Sequence, residues 1–314
     1  MVKYALLIGI NYRNTESELY GCINDINNMK LFLKSKLGYT NFVILTDDAT
    51  KRSLRPTKSN ILGAIRSLVR ILKPYDEVWF HYSGHGILEY DRSGDEESGY
   101  DCAIAPIDYD IEGFINDDIL RSSLVEKIPN KARLYIILDA CYSGTGCDLR
   151  YKYDDSSYII NKNAISSTYI PSEWFLSTKS YEFEKYPITK GEVFCISGCQ
   201  DYQESADTFI ENEQTYGGVL TNTMLSLFRS NDLKTYMWKN LLNDICCSVK
   251  MNGYDQVTAL TSGKLLDMES KVFSFPVRDE VKPYIPQSSN KNKRKYIHTA
   301  NANANNSIKK MIFT

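Results

Sequence analysis

No run of apolar residues in the 314-residue chain approaches the roughly 20 that a membrane-spanning helix needs. The run nearest the N-terminus, Ala5 to Ile10, has only Lys3 before it and no small-residue cleavage site after it. It reads as a buried strand and not as a signal peptide. Charge of one sign is not in excess either, because 37 Lys and Arg against 39 Asp and Glu leave a formal −2. That balance gives no pull toward nucleic acid or an anionic membrane, so the chain is expected to bind neither and to be cytoplasmic. The 8 cysteines are too sparse and irregular for a disulfide scaffold and read mostly as reduced thiols. Cys195 and Cys199 lack a second close pair, and Cys246 and Cys247 adjoin, which argues against structural zinc. What is present is ordinary: 43% hydrophobic and 24% charged residues can bury a core, which excludes wholesale disorder.

Apolar β-rich runs recur at YALLIGI (4–10), NFVILTD (41–47), EVWFHYS (77–83), LYIILDA (134–140) and EVFCISG (192–198). Between the first two, Ile26, Met29, Phe32 and Leu33 fall at helical spacing, predicting a helix from Cys22 to Leu37 that ends at Gly38. A second helix is expected over Lys58 to Leu72, capped by Thr57 or Ser59 and closed by Pro74. TYGGVLTNTMLSLF and YMWKNLLNDICCSVK read as further helices. Continuous apolar strands separated by helices define an α/β fold, a mainly parallel sheet covered on both faces, with its chemistry beyond the strands' C-terminal ends. Residues 154–191 break the pattern and read as a long surface loop. From Val277 onward, 8 Lys and Arg face 2 Asp and Glu. That tail (277–314) reads as disordered, with KNKRK (291–295) either plainly solvated or a patch for an acidic partner or nuclear targeting.

Two strand ends carry reactive side chains beside glycine: HYSGHG (81–86) after EVWF, and DACYSGTG (139–146) after LYIIL. A thiol nucleophile needs a base to hold its proton and a loop free of bulk so that a peptide can approach. His85 and Cys141 meet both needs. Gly84, Gly86, Gly144 and Gly146 allow close backbone approach, and the N–H groups of Gly86 and Cys141 are candidates for an oxyanion hole. His81 lies within the strand pattern and reads as a buried strand histidine.

With these residues in view, the chain resembles a type I-like metacaspase, one of the caspase-like cysteine peptidases. The resemblance runs over about residues 3–275, through ALLIGINY (5–12), GCINDI (21–26), LTDD (45–48), PTKSNIL (56–62), HYSGHG, GDEESGYD (94–101), INDDIL (115–120), DACYSGTGCDL (139–149) and ISGCQDYQESAD (196–207). It implies a caspase-like three-layer sandwich over 1–276, with a large-subunit-like part (1–153), the 154–191 loop and a small-subunit-like part (192–276). It implies His85 as base and Cys141 as nucleophile, and a substrate pocket lined by Cys22, Asp25, Ser83 and Asp139 that selects Arg or Lys. It also implies an activating calcium ion held by Asp101, Asp117, Asp118 and Asp148, ordering loops without activating water. Other acids, the 94–98 run included, read as a charged surface. Lys162, Lys179, Lys185 and Lys190 are possible self-cleavage points, and the partners implied are Arg- or Lys-bearing protein substrates of a monomeric enzyme. No Pro/Gln-rich prodomain is recognisable before the catalytic segment. The family usually has histidine and serine where this chain has Tyr142 and Ala140, and glutamate where it has Cys102, which bears on rate and substrate preference rather than reaction type. Two further readings stay open: a non-catalytic caspase-fold scaffold or aggregate-binding regulator, and a zinc hydrolase using His81 and His85.

Overall fold

The computed structural model describes residues 1–273 apart from 95, 97–98, 142–145, 156–177, 199–206, 211–214, 255 and 257. The first four expected apolar runs of the sheet form β1 (Lys3–Gly9), β2 (Asn41–Thr46), β3 (Glu77–Ser83) and, after a small side sheet, β7 (Arg133–Asp139). The side sheet holds β4 (Gly86–Tyr90), β5 (Tyr100–Ile104) and β6 (Ile115–Asn116). The remaining strands are β8 (Tyr151–Asp155), β9 (Thr178–Glu182), β10 (Glu192–Ser197), β11 (Asp207–Ile210), β12 (Thr215–Gly218) and β13 (Ala259–Ser262). The main sheet has the order β2-β1-β3-β7-β10-β13-β8-β9. Its β2-β1-β3-β7-β10 part is parallel, and β13, β8 and β9 extend it in antiparallel fashion.

Both faces of the sheet are covered, as a parallel sheet requires. Helices α2 (Lys58–Val69) and α4 (Asp117–Ser123) pack Ile61, Ile65, Leu68 and Leu120 onto Leu6, Ile8 and Phe80. The opposite face carries α1 (Cys22–Ser35), α5 (Val219–Ser230) and α6 (Trp238–Met251), around Trp79, Tyr135 and Ile137. A short α3 (Tyr109–Glu112) leads into β6. The alternation along β3 follows: Phe80 and Tyr82 enter one cluster, and Trp79 the other. Thr57 caps α2 by accepting the Asn60 N–H at 3.2 Å, and Gly38 follows α1 with φ +72°.

Two sequence readings change. The 154–191 segment is not wholly loop: Tyr151–Asp155 and Thr178–Glu182 pair antiparallel at the sheet margin, with Lys152 opposite Tyr181. Among the described residues TKSYE has a paired strand on one side only, and such an edge strand keeps polar residues, so its composition mimics a loop. TYGG, read as the start of a helix, is strand β12, and the helix begins at Val219. The 277–314 tail lies outside the described residues.

Candidate active site

Strands β3 and β7 are adjacent and parallel, with Ser83 directly opposite Asp139. Two residues further along each chain stand His85 and Cys141, so the sheet's own register brings the two reactive groups to one level. The Gly84 N–H carries the ladder one step past β3 by donating to the Asp139 carbonyl at 3.4 Å. Gly86 then lies hard against the cysteine's backbone, where a Cβ would stand 1.9 Å from the Cys141 carbonyl oxygen. Only glycine allows that approach. Both side chains are half-buried.

Three contacts fix His85. Its N–H donates to the Tyr12 hydroxyl at 3.1 Å, its carbonyl accepts from the Tyr82 hydroxyl at 2.7 Å, and its Nε2 lies 2.7 Å from the Ser17 carbonyl. A carbonyl oxygen can only accept, so Nε2 bears the hydrogen and Nδ1 of the neutral ring carries the lone pair. The Tyr12 hydroxyl itself donates to the Ala105 carbonyl at 2.6 Å, and the Tyr12 and His85 rings lie 4.7 Å apart. Burial pushes the Tyr12 and Tyr82 hydroxyls above the usual phenol range, which keeps both as proton donors. Tyr12, Ser17 and Tyr82 escape a reading of the sequence because each acts through backbone groups or a fold-back no motif encodes.

His81 behaves as a core residue. It is fully buried, its Nε2 lies 3.1 Å from Thr221 Oγ1, and burial pulls its pKa down to about 3, leaving it neutral. Among the described residues, neither His81 nor His85 belongs to a metal-sized cluster of side chains, so the zinc reading gains no support.

The expected pocket residues converge. Cys22 and Asp25 occupy the first turn of α1, and Asp25 accepts the Ser83 hydroxyl at 2.7 Å and the Gly218 N–H at 3.0 Å. Asp139 accepts the Thr221 N–H at 2.8 Å, and a Cβ on Gly218 would stand 2.2 Å from its Oδ2. Cys22 is buried as an electrostatic neighbour of Tyr12 and Tyr82. Two carboxylates thus face the N-terminus of α5, whose amides carry partial positive charge. They are only 1% and 5% exposed. The helix-start glycine that makes this possible, Gly218, has no side-chain cap and was not singled out from sequence.

The second acidic group is partly the expected one: its close trio holds Asp117 and Asp148 of the four expected aspartates, together with Glu96. Carboxylate oxygens of Glu96, Asp117 and Asp148 all lie within 4.8 Å of one another. Asp101 is an electrostatic neighbour of Asp117, and its Oδ2 accepts the Asn116 amide at 2.7 Å. Asp118 is half-buried beside this group and outside the close trio, its N–H donating to Asp117 Oδ1 at 3.1 Å. Glu96 corrects the reading of the 94–98 run as charged surface. Its side chain is 10% exposed, drawn inward by Tyr186 and Lys185, partners about 90 residues away that no local pattern could signal. Burial, followed by the Asp148 charge, pushes Asp117 up to about 9. Converging hard oxygen donors with such mutual repulsion suit calcium, whose charge would offset it. Cys102, buried on β5, donates its N–H to Asp117 at 2.9 Å, while Tyr142 and Gly144 lie outside the described residues.

A pH dependence follows with a definite sign. A carboxyl whose folded pKa is raised contributes stability below its unfolded pKa, and that stability is lost as pH rises toward about 9. Asp117→Asn keeps an acceptor for Cys102 and removes the charge. In the presence of a chelator it is expected to raise Tm by several degrees at about pH 8.5 and less at about pH 5.5. An equal shift at both values in thermal unfolding would contradict the repulsion.

A central parallel sheet with histidine and cysteine at the ends of adjacent strands, and helices on both faces, is the architecture of the caspase-like class. Residues 3–150 match the family described as "Metacaspase, peptidase C14 domain". The chain is 35% identical over 294 residues to Metacaspase-1 of Meyerozyma guilliermondii, covering 85% of this chain and 70% of that protein. It is 34% identical over 297 residues to Metacaspase-1 of Debaryomyces hansenii, covering 86% and 66%, and 37% identical over 270 residues to Metacaspase-1A of Aspergillus oryzae, covering 77% and 64%. A crystal structure of a Geobacter sulfurreducens protein shares the fold, with TM-score 0.57 and 22% identity over 86% of this chain and 98% of that one. The chain belongs to the metacaspase family, and it spans about two thirds of the length of these curated relatives.

Proposed function

We propose that the protein is a cysteine endopeptidase that cuts after Arg or Lys and is stimulated by calcium. The observation that carries this reading is the register of Ser83 on Asp139, which sets His85 and Cys141 at one level with glycine between their backbones. In the proposed reaction, His85 Nδ1 accepts the Cys141 proton, and the thiolate attacks the scissile carbonyl. The N–H groups of Gly86 and Cys141 donate to the oxyanion. The imidazolium then protonates the leaving amine, and water attacks the acyl-enzyme with the same ring as base. The Ser17 carbonyl, 2.7 Å from Nε2, holds the ring in place.

Asp25 and Asp139 supply the preference for a cation beside the scissile bond. Calcium, held by Glu96, Asp117 and Asp148 with Asp101 and Asp118 near, would supply charge compensation that orders the loops leading to Cys141. Among the candidate self-cleavage lysines, Lys179 lies on β9, Lys185 and Lys190 follow it, and Lys162 lies outside the described residues. Strands β8 and β9 continue the sheet past β13, so β13 itself is not open to pairing with a second copy, which supports a monomer. No described helix is long and apolar enough to cross a membrane.

Tyr12→Phe removes the hydroxyl that receives the His85 N–H and should lower kcat about tenfold with KM unchanged. The pH profile of Cys141 alkylation is expected to shift with it. A change in KM alone, with an unmoved profile, would contradict a positioning role. The overall reading is tested by hydrolysis of fluorogenic Arg, Lys and Asp peptides with and without calcium. Turnover of the basic peptides that rises with calcium is expected, and equal rates for wild type and Cys141→Ala would leave the scaffold reading.

A further inference from the structure

Glu96 stands between two sets of partners. On one side its carboxylate lies within 4.8 Å of oxygens of Asp117 and Asp148. On the other, the Tyr186 hydroxyl donates to Glu96 Oε1, and Lys185 Nζ stands 3.6 Å from the same oxygen. Lys185 and Tyr186 belong to the strap joining β9 to β10, and the strap is pinned along its length. The Phe183 N–H donates to the Arg150 carbonyl at 2.7 Å, and Arg150 Nη1 donates to the Tyr186 carbonyl at 3.2 Å. Arg121 donates to the Pro187 carbonyl at 3.1 Å, lies 5.6 Å over the Tyr186 ring, and also donates to the Asp148 carbonyl. The same few residues therefore hold both the acidic cluster and a lysine bond that a Lys-specific peptidase could cut.

A peptidase draws its substrate in as an extended strand, and Tyr186, 5% exposed, cannot enter a groove while its side chain and carbonyl are held. We propose that Glu96 is a latch: without a cation it fastens the Lys185–Tyr186 peptide, and when it turns to a divalent cation shared with Asp117 and Asp148 it frees that peptide for hydrolysis. The inference rests on the calcium and Arg/Lys reading above and adds the residue that couples them. A dication attracts a carboxylate more strongly than a half-exposed ammonium and a phenol do, so the exchange favours the metal. Hydrolysis adds the water hydroxyl to the Lys185 carbonyl carbon and a proton to the Tyr186 nitrogen. Coupling of this kind is reciprocal, so weakening the strap's hold on Glu96 must tighten calcium binding.

The test uses the full chain carrying Cys141→Ala, which cannot process itself. A calcium-independent lysine-specific endopeptidase is added at low dose, and cuts after Lys185 and after the exposed reference Lys36 are counted by mass spectrometry while calcium binding is followed by calorimetry. Calcium is expected to speed the Lys185 cut at least tenfold and leave Lys36 unchanged. Tyr186→Phe, which keeps the ring under Arg121, should bind calcium several-fold tighter and be cut after Lys185 several-fold faster without calcium. A damaged fold would instead weaken binding. An unchanged Lys185 rate in calorimetrically saturated protein overturns the latch and leaves the calcium site standing, whereas absence of calcium binding overturns both.

Discussion

Cys141→Ala is expected to lower kcat for an Arg-peptide amide at least about a thousandfold, and His85→Ala to do nearly the same. The reasoning is chemical. An amide resists attack by water, and the proposed route replaces that attack with an intramolecular thiolate, so removing the sulfur removes the route itself. On the proposed route sulfur and imidazole act as one unit, so the double variant should be little worse than either single one. Additive losses would mean that the two groups work independently. The Cys141 side chain is half-buried just past the end of β7, so its truncation should leave Tm within a few degrees and the lost rate can be read as chemistry. Normal turnover by a folded Cys141→Ala protein would leave the fold without its proposed nucleophile.

The second large effect concerns specificity. Asp25→Asn and Asp139→Asn are each expected to lower kcat/KM for Arg peptides about a hundredfold, with the Asp139 change also weakening calcium-independent discrimination against neutral peptides. The end of α5 contributes roughly half a positive charge. Two ionised carboxylates would exceed that compensation, so the proposed pocket would keep a net negative field while Asp25 and Asp139 still accept from the Gly218 and Thr221 amides. A guanidinium entering there gains charge-assisted hydrogen bonds that a neutral side chain cannot make. Asparagine retains an acceptor for the Gly218 and Thr221 amides, and the fold should therefore survive. Loss of activity on Arg and neutral peptides in equal proportion would show the pair to be structural supports of α5 and not a selector.

The central strands were legible because they are continuous apolar runs: all five appear within about one residue of their predicted ends. The placement of His85 and Cys141 just past the ends of adjacent strands was legible for a related reason, since glycine-flanked reactive residues after such runs mark strand ends in an open parallel sheet. Asp25, Ser83 and Asp139 also came together, joined through Gly218 and Thr221, which lie about 80 to 190 residues away in sequence. Such long-range backbone donors leave no periodic trace. The same is true of Tyr12, whose hydroxyl reaches His85 across 73 positions. Polar strands β8 and β9 were missed because edge pairing tolerates residues that composition assigns to loops. Glu96 was missed because only its tertiary neighbours distinguish it from the acids beside it.

One labelling experiment probes the proposed roles of Cys141, His85 and the acidic pocket together. An irreversible ketone inhibitor bearing an Arg side chain is incubated with wild type and with His85→Ala, and an Asp-bearing counterpart serves as control; the modified residue is then located by mass spectrometry. A single adduct on Cys141 is expected in wild type with the Arg reagent, at a rate at least about a hundredfold above that of either the Asp reagent or the His85 variant. Adducts distributed over other cysteines, or Cys141 labelled equally by both reagents and in both proteins, would contradict it.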